Sequence, residues 1–240
     1  MVPIPGRTKL RIMLKKGKEK KVRQEVSDQI DGVPPRKMSK NSVKAEQHRE
    51  QLYEAVAQVL LKHRKATFTL DEVASEIGVS KGVVYYYFHS KGELIYRLNK
   101  YMFGLIRKAL EPISNDSSLP PRRKLEVLIR SYVNVTVNHW KISRLLWSDM
   151  ALRETSAPHA GVINRERKAY RNLLMKVLKD VIIAERLDPI DEHIAAWLIY
   201  GILSFSPMWF RPGGAITEQE ITNYIIRLIT EGFLTKRTAK

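Results

Sequence analysis

Twenty residues, Leu70 to His89, meet together the demands that two helices crossing at a tight turn place on a chain. The fifth position, where the helices come closest, has to be small and is Ala74; the ninth, which has to tolerate the turn, is Gly78. The inward-facing fourth, eighth, tenth, fifteenth and eighteenth positions are Val73, Ile77, Val79, Val84 and Tyr87. Thr69-Leu70-Asp71-Glu72 reads as a capping box, in which a hydroxyl and a carboxylate satisfy orphan amides at a helix start. Gly78 can take the left-handed conformation that ends that helix, and Ser80 is placed to cap the next. These features predict one helix over 70–77 and a second over 81–87.

In that geometry the second helix turns its N-terminal end and outer face toward the major groove, where base edges differ. Lys81, Gly82, Val83 and Tyr86 are then the candidate base-proximal residues, with Ser80 on the same surface. A helix normally suffers from glycine, so Gly82 suits a place where backbone approaches DNA. Thr69, Tyr85 and Lys91 are expected at phosphates, helped by the amides at helix starts. Tyr87 and Phe88 are expected in the core.

The rest of the chain reads as helix. Leu52, Val56, Val59, Leu60 and His63 mark an amphipathic helix from Ala45 to about 63–65. Ser90-Lys91-Gly92-Glu93 resembles a second capping box, opening a long helix through Leu94, Leu98, Met102, Leu105 and Leu110. The polar segment Ser114 to Pro121 is the expected junction between head and body. Further helices are expected over 121–138, 141–153, 160–186, 189–206 and 218–235. Asp188-Pro189 marks the start of the fourth of these, and a capping box at Thr217 to Glu220 the start of the last. Within the first, the run from Tyr132 to Val137 is rich in β-formers. The expected class is all-α: a basic, flexible arm (1–44), a three-helix head (45–92) and a helical body for ligand binding and dimerisation (93–240).

Charge has to be located before it is used. Of the formal +17, residues 1–44 carry +9, so the remainder is spread over the other residues. A basic surface attracts phosphate polymers, anionic ligands and acidic membranes alike, so charge selects no function alone. Ile194 to Phe210 is 17 residues without a charged side chain, short of the ~20 a membrane span requires, and is read as a buried helix. No signal peptide is recognisable and there are no cysteines, which agrees with a cytoplasmic setting. The six histidines lack metal-ligand spacing, and no nucleophile elbow or phosphate loop is present. No enzyme activity, cofactor or metal is expected, and no membrane partner.

Phe68 to Ala74, Gly78 to Phe88 and Ser90 to Leu94 together resemble the DNA-binding head of the tetracycline-repressor (TetR) family, over about residues 46–100. The resemblance implies a head joined by a fourth helix to a variable body, whose last two helices form a four-helix bundle with a second subunit. Two positions depart from the family habit: Leu70 and Asp71 stand where polar or basic residues are common. Pro207 to Gly214 looks like the link before the last helix in TetR regulators of fatty-acid, steroid and aromatic-acid breakdown, several of which respond to acyl-coenzyme A thioesters. Breakers of this kind also simply shape loops. An apolar cavity between body helices is the expected ligand site, with Tyr132, Thr136, Trp147, Met150, Tyr170 and Trp197 as candidate lining and Asn134, Asn138 and Arg144 as nearby polar groups. Ile194, Trp197, Leu198 and Leu203, with Ile221, Ile225, Leu228 and Ile229, are expected at a homodimer interface. The expected function is a repressor of double-stranded DNA at a roughly palindromic operator, released by a small hydrophobic or acyl-coenzyme A-like ligand. A DNA binder governed by protein partners ranks second, and a helical enzyme third.

Overall fold

The computed structural model describes residues 40–63, 68–148, 151, 157–187 and 191–233. The basic arm before Lys40, Met150 and the Asp188-Pro189 signal lie outside these residues. The described residues form helices α1 (Lys40–His63), α2 (Leu70–Ile77), α3 (Lys81–Tyr87), α4 (Lys91–Asn115), α5 (Pro121–Asn138), α6 (Trp140–Leu146), α7 (Ala157–Glu185), α8 (Glu192–Trp209) and α9 (Glu218–Arg227), the last continuing as a π-helical turn (Leu228–Phe233), and contain no β-strand. The chain divides into two compact units between Lys91 and Gly92. This corrects the expected junction at 114–121: the segment joining α4 to α5 lies inside the second unit.

In the first unit the capping box closes as expected. Thr69 Oγ1 accepts from the Glu72 N–H at 3.1 Å, and the Glu72 carboxylate accepts from the Thr69 N–H at 2.8 Å. Gly78 takes φ 77°, and its N–H donates to the carbonyls of Ala74 and Ser75, ending α2. Ser80 departs from expectation, since its side chain makes no capping bond. The main chain closes that turn instead, with the Val83 N–H donating to the Ser80 carbonyl at 3.0 Å. Val73, Ala74, Ile77 and Val84 are buried with Leu52, Val56 and Leu60 of α1, and Phe88 packs on Tyr53 with ring centroids 5.9 Å apart. Val79 and Tyr87, expected in this core, are only half-buried. Helix α1 also begins five residues before Ala45, so the last residues of the expected arm are helical.

The second unit packs α5, α7, α8 and α9 around one core that includes Leu128, Ile129, Leu174, Leu178, Ile199, Leu203, Ile221 and Ile229. The β-prone run from Tyr132 to Val137 is helical, because burying Tyr132, Val133 and Thr136 on one helical face outweighs local propensity. The Thr136 hydroxyl is satisfied by donating to the carbonyls of Tyr132 and Val133. Helix α6 stops at Leu146, short of the expected 153, where the Ser148 hydroxyl and N–H both turn back to the Leu145 carbonyl. Helix α8 starts at Glu192 rather than 189, capped by Asp191, whose carboxylate accepts from the N–H groups of His193 and Ile194. Pro207 lies inside α8 and removes the amide that would bond Leu203, and the Ser206 hydroxyl donates to that carbonyl at 2.8 Å. No described helix is long and apolar enough to cross a membrane.

Candidate nucleic-acid interface and body pocket

Helix α3 leaves a coherent solvent face. Ser80, Lys81, Gly82 and Tyr85 are exposed, Tyr85 to 45%, while Val83 and Tyr86 are half-buried. Tyr86 meets Tyr87 edge to face at 5.2 Å, which limits where its hydroxyl can point. Gly82 has open space where a Cβ would stand, its nearest neighbour being the Ser80 hydroxyl at 3.8 Å, so nothing within the protein demands glycine there. Thr69 is exposed and uses its hydroxyl oxygen as a cap acceptor, leaving the hydroxyl proton to be donated outward. Lys91, at the start of α4, places its ammonium 5.4 Å from the centre of the Phe68 ring. All eight residues expected at DNA thus lie in the first unit, at the start of α2, along α3 and at the last residue of the unit.

An interaction missed in the sequence touches this surface. Lys81 Nζ donates to the Asp71 carboxylate across the turn, and the bond together with the opposite charge raises the lysine pKa above its ordinary value. Both side chains are solvent-exposed, so the pair contributes little to stability. It does hold in place, and partly neutralise, a cation expected at DNA. Asp71→Asn is therefore expected to melt like the wild type while binding non-operator duplex more tightly and with a steeper salt dependence. Filter-binding titrations at several salt concentrations check this; unchanged nonspecific affinity would place Lys81 away from DNA.

The second unit holds a pocket of about 490 Å³, including its solvent-open mouth. Helix α4 contributes Asn99, Met102, Phe103 and Ile106; α5 contributes Tyr132 and Thr136; Ser143, Leu146 and Trp147 come from α6 and its end. Arg167 and Tyr170 of α7 and Tyr200, Ser204 and Pro207 of α8 complete it. Tyr132 and Tyr170 stack with centroids 5.0 Å apart, and Tyr132 shares a 3.2 Å hydrogen bond with Ser204. Burial pushes both phenols well above their ordinary pKa, so they stay neutral at physiological pH. Arg167, the one cation among the lining residues, lies with its guanidinium 5.1 Å from the Trp147 ring.

Of the expected ligand residues, Tyr132, Thr136, Trp147 and Tyr170 line this pocket. Trp197 does not: it is 57% exposed, with the Arg171 guanidinium 3.8 Å above its ring. Asn134 and Asn138 are exposed and hydrogen-bonded, to Glu218 and to Asn134 respectively. Arg144 donates to the carbonyls of Pro207 and Met208 in the last turn of α8, and the Trp140 indole to that of Phe210 just after it, so together they pin the end of α8 and the start of the link. That link acts here as architecture, and Arg211 to Gly214 are exposed. Asn99, Ser143, Arg167 and Ser204 escaped the sequence reading. Their signal was faint but present, as small or polar residues one turn from aromatic core positions.

The expected dimer face also changes. Leu203, Ile221, Ile225 and Ile229 are buried within the chain, whereas Ile194, Trp197, Leu198, Phe205 and Trp209 stand out from α8, Tyr224 from α9 and Leu228 from the π-helical turn that continues it. The first five recur at three- and four-residue steps through Gly201 and form one stripe.

The profile of a family described as bacterial regulatory proteins, tetR family, matches residues 57–98, and that of the tetracyclin repressor-like C-terminal domain matches 118–233. The HTH-type transcriptional repressor KstR2 of Mycobacterium tuberculosis is 23% identical over 185 residues, covering 77% of this chain and 92% of the relative. The TetR-family regulator PfmR of Thermus thermophilus superposes with a TM-score of 0.69 at 17% identity, over 77% of this chain and 99% of its own. AibR, solved in complex with isovaleryl coenzyme A and operator DNA, superposes with a TM-score of 0.64 at 17% identity, over 75% and 97%. Both solved structures share the fold of this chain.

Proposed function

The chain belongs to the tetR family of bacterial regulatory proteins, and on that premise we propose that it is a homodimeric repressor released from its operator by an acyl-coenzyme A thioester. The observation that carries the reading is helix α4. It begins at Lys91, where the first unit ends, and continues unbroken to supply Asn99, Met102, Phe103 and Ile106 to the pocket. A ligand that displaces those four residues acts on the same helix that begins where the first unit ends.

The pocket suits the acyl part of such a ligand. Its lining is mostly apolar and aromatic with a few placed polar groups, as in small-molecule sites, and the phosphates of a coenzyme A would stay outside it. Arg167 supplies a cation to the otherwise neutral lining, as a thioester with a polyanionic handle favours. The names of KstR2 as a repressor and of AibR as a complex with isovaleryl coenzyme A and operator DNA support the same class. Reversing a 1-to-99 equilibrium between bound and released forms requires about 5.5 kcal/mol of differential binding, within reach of a thioester.

Titrating the protein–operator complex with free coenzyme A, free acids and thioesters of several chain and ring types tests the proposal. Thioesters are expected to dissociate the complex at concentrations where coenzyme A and free acids do not. Release by an uncharged lipophile with no thioester effect would overturn the ligand class.

The basic arm adds a separate expectation. Its +9 should strengthen binding to any duplex by displacing counterions. Removing residues 1–39, which carry +7 of that charge, should flatten the plot of log affinity against log salt by about 0.9 for each phosphate that they neutralise. An unchanged slope would show that the arm does not bind DNA.

A further inference from the structure

Buried side-chain polar atoms in the second unit are accounted for almost throughout the described residues. Thr136 donates to main-chain carbonyls, Tyr132 and Ser204 bond each other, and the Asn99 amide donates to the Ile95 carbonyl at 2.9 Å. Two atoms break the pattern: among the described residues of this unit, Ser143 Oγ and the Tyr170 hydroxyl are the buried side-chain oxygens that lack a hydrogen-bond partner. Both residues line the same pocket, one from α6 and one from α7, at 5% and 6% exposure. Buried polar atoms without partners are rare, because each has given up water for nothing. Two in one pocket ask for a common cause. Tyr170 cannot easily turn to find another partner, since its ring is stacked on Tyr132 and lies 5.6 Å from Tyr200.

We infer that the effector carries a hydrogen-bonding oxygen, an oxo or hydroxyl group, within its apolar part, and that the Tyr170 hydroxyl and Ser143 Oγ recognise it. The inference rests on the proposed thioester class and narrows it: a saturated hydrocarbon acyl chain would leave both atoms unpaired, whereas an oxygenated chain or ring would satisfy them. A neutral phenol donates to either kind of oxygen, and the serine hydroxyl donates or accepts. Discrimination of this kind is steep because the loss falls on the site's own groups as well as on the ligand.

The test uses the full chain and its Tyr170→Phe and Ser143→Ala variants. Calorimetry compares octanoyl- and cyclohexanecarbonyl-coenzyme A with counterparts bearing one oxo or hydroxyl group along the chain or ring. At least one oxygenated thioester is expected to bind the wild type about tenfold or more tighter than its plain partner. Each variant is expected to lose most of that preference, read as the ratio of its own affinities for the oxygenated and the plain thioester. Without ligand, both variants should melt at or above the wild-type temperature, since an unpaired hydroxyl contributes nothing to folding; a fall of several degrees would show that these atoms hold the fold and would overturn the inference. Equal affinity for plain and oxygenated thioesters overturns it while leaving the thioester reading intact. Binding by none of the probes overturns both together.

Discussion

Lys81→Ala and Tyr86→Ala each lose about 1 to 3 kcal/mol of operator affinity and part of the discrimination against altered sites, whereas Tyr85→Ala and Lys91→Ala weaken binding to every duplex alike. The division follows from position. Lys81 opens α3 and Tyr86 lies five residues on, the positions expected to face base edges from the front of a recognition helix, whereas Tyr85 and Lys91 are expected at the phosphate backbone. Tyr86 also packs on Tyr87, so Tyr86→Phe, which removes only the hydroxyl, separates readout from packing. Gly82→Ala sharpens the contrast. Alanine fits the free space and favours helix, so the variant should melt no lower than the wild type, yet its methyl group would stand between backbone and DNA. Competition titrations with matched and mismatched duplexes read these effects, and four alanine variants that keep wild-type affinity and specificity would move the interface elsewhere.

The second large effect concerns assembly. Trp197→Glu combined with Leu198→Lys is expected to yield a folded monomer with operator affinity reduced by a factor of about 10² to 10⁴, because two linked heads raise each other's effective concentration at paired half-sites. Exposed apolar side chains standing singly are ordinary, but a stripe of five along α8 beside Tyr224 and Leu228 is not. A second copy of the same stripe would cover it with two-fold symmetry. Neither substituted residue belongs to the core cluster, so the monomer should retain helix content and melt cooperatively. Sedimentation of the wild type as a monomer at micromolar concentration would contradict the assignment, and so would a double variant that remains dimeric.

Residue spacing revealed the helices well and the faces they turn to one another less well. Capping boxes at Thr69 and Thr217, the turn at Gly78 and the small residue at Ala74 are written in a few adjacent side chains, and the structure shows each of them performing that role. The choice between pocket and surface is not local. Trp197 and Tyr200 sit three positions apart on α8, both aromatic, yet one is exposed and the other lines the pocket, because a helix turns ~100° per residue and only the packing of α7 and α5 decides which side is inward. The same uncertainty moved Leu203 from the expected interface into the core. Arg144 looked like a ligand group since a cation among aromatics has two uses; its partners, carbonyls near the end of α8, lie more than sixty residues away. Ser143 and Arg167 carried no motif, and only the fold brings them to one cavity.

Selection of random duplexes by the purified full chain asks directly whether α3 reads base sequence as part of a two-fold assembly. One inverted repeat is expected to be enriched, with its half-sites on one face of the duplex. That enrichment should vanish when Lys81→Ala and Tyr86→Ala are combined, and persist when residues 1–39 are removed. Enrichment of no sequence, or of the same sequence by the double variant, would contradict this role for α3.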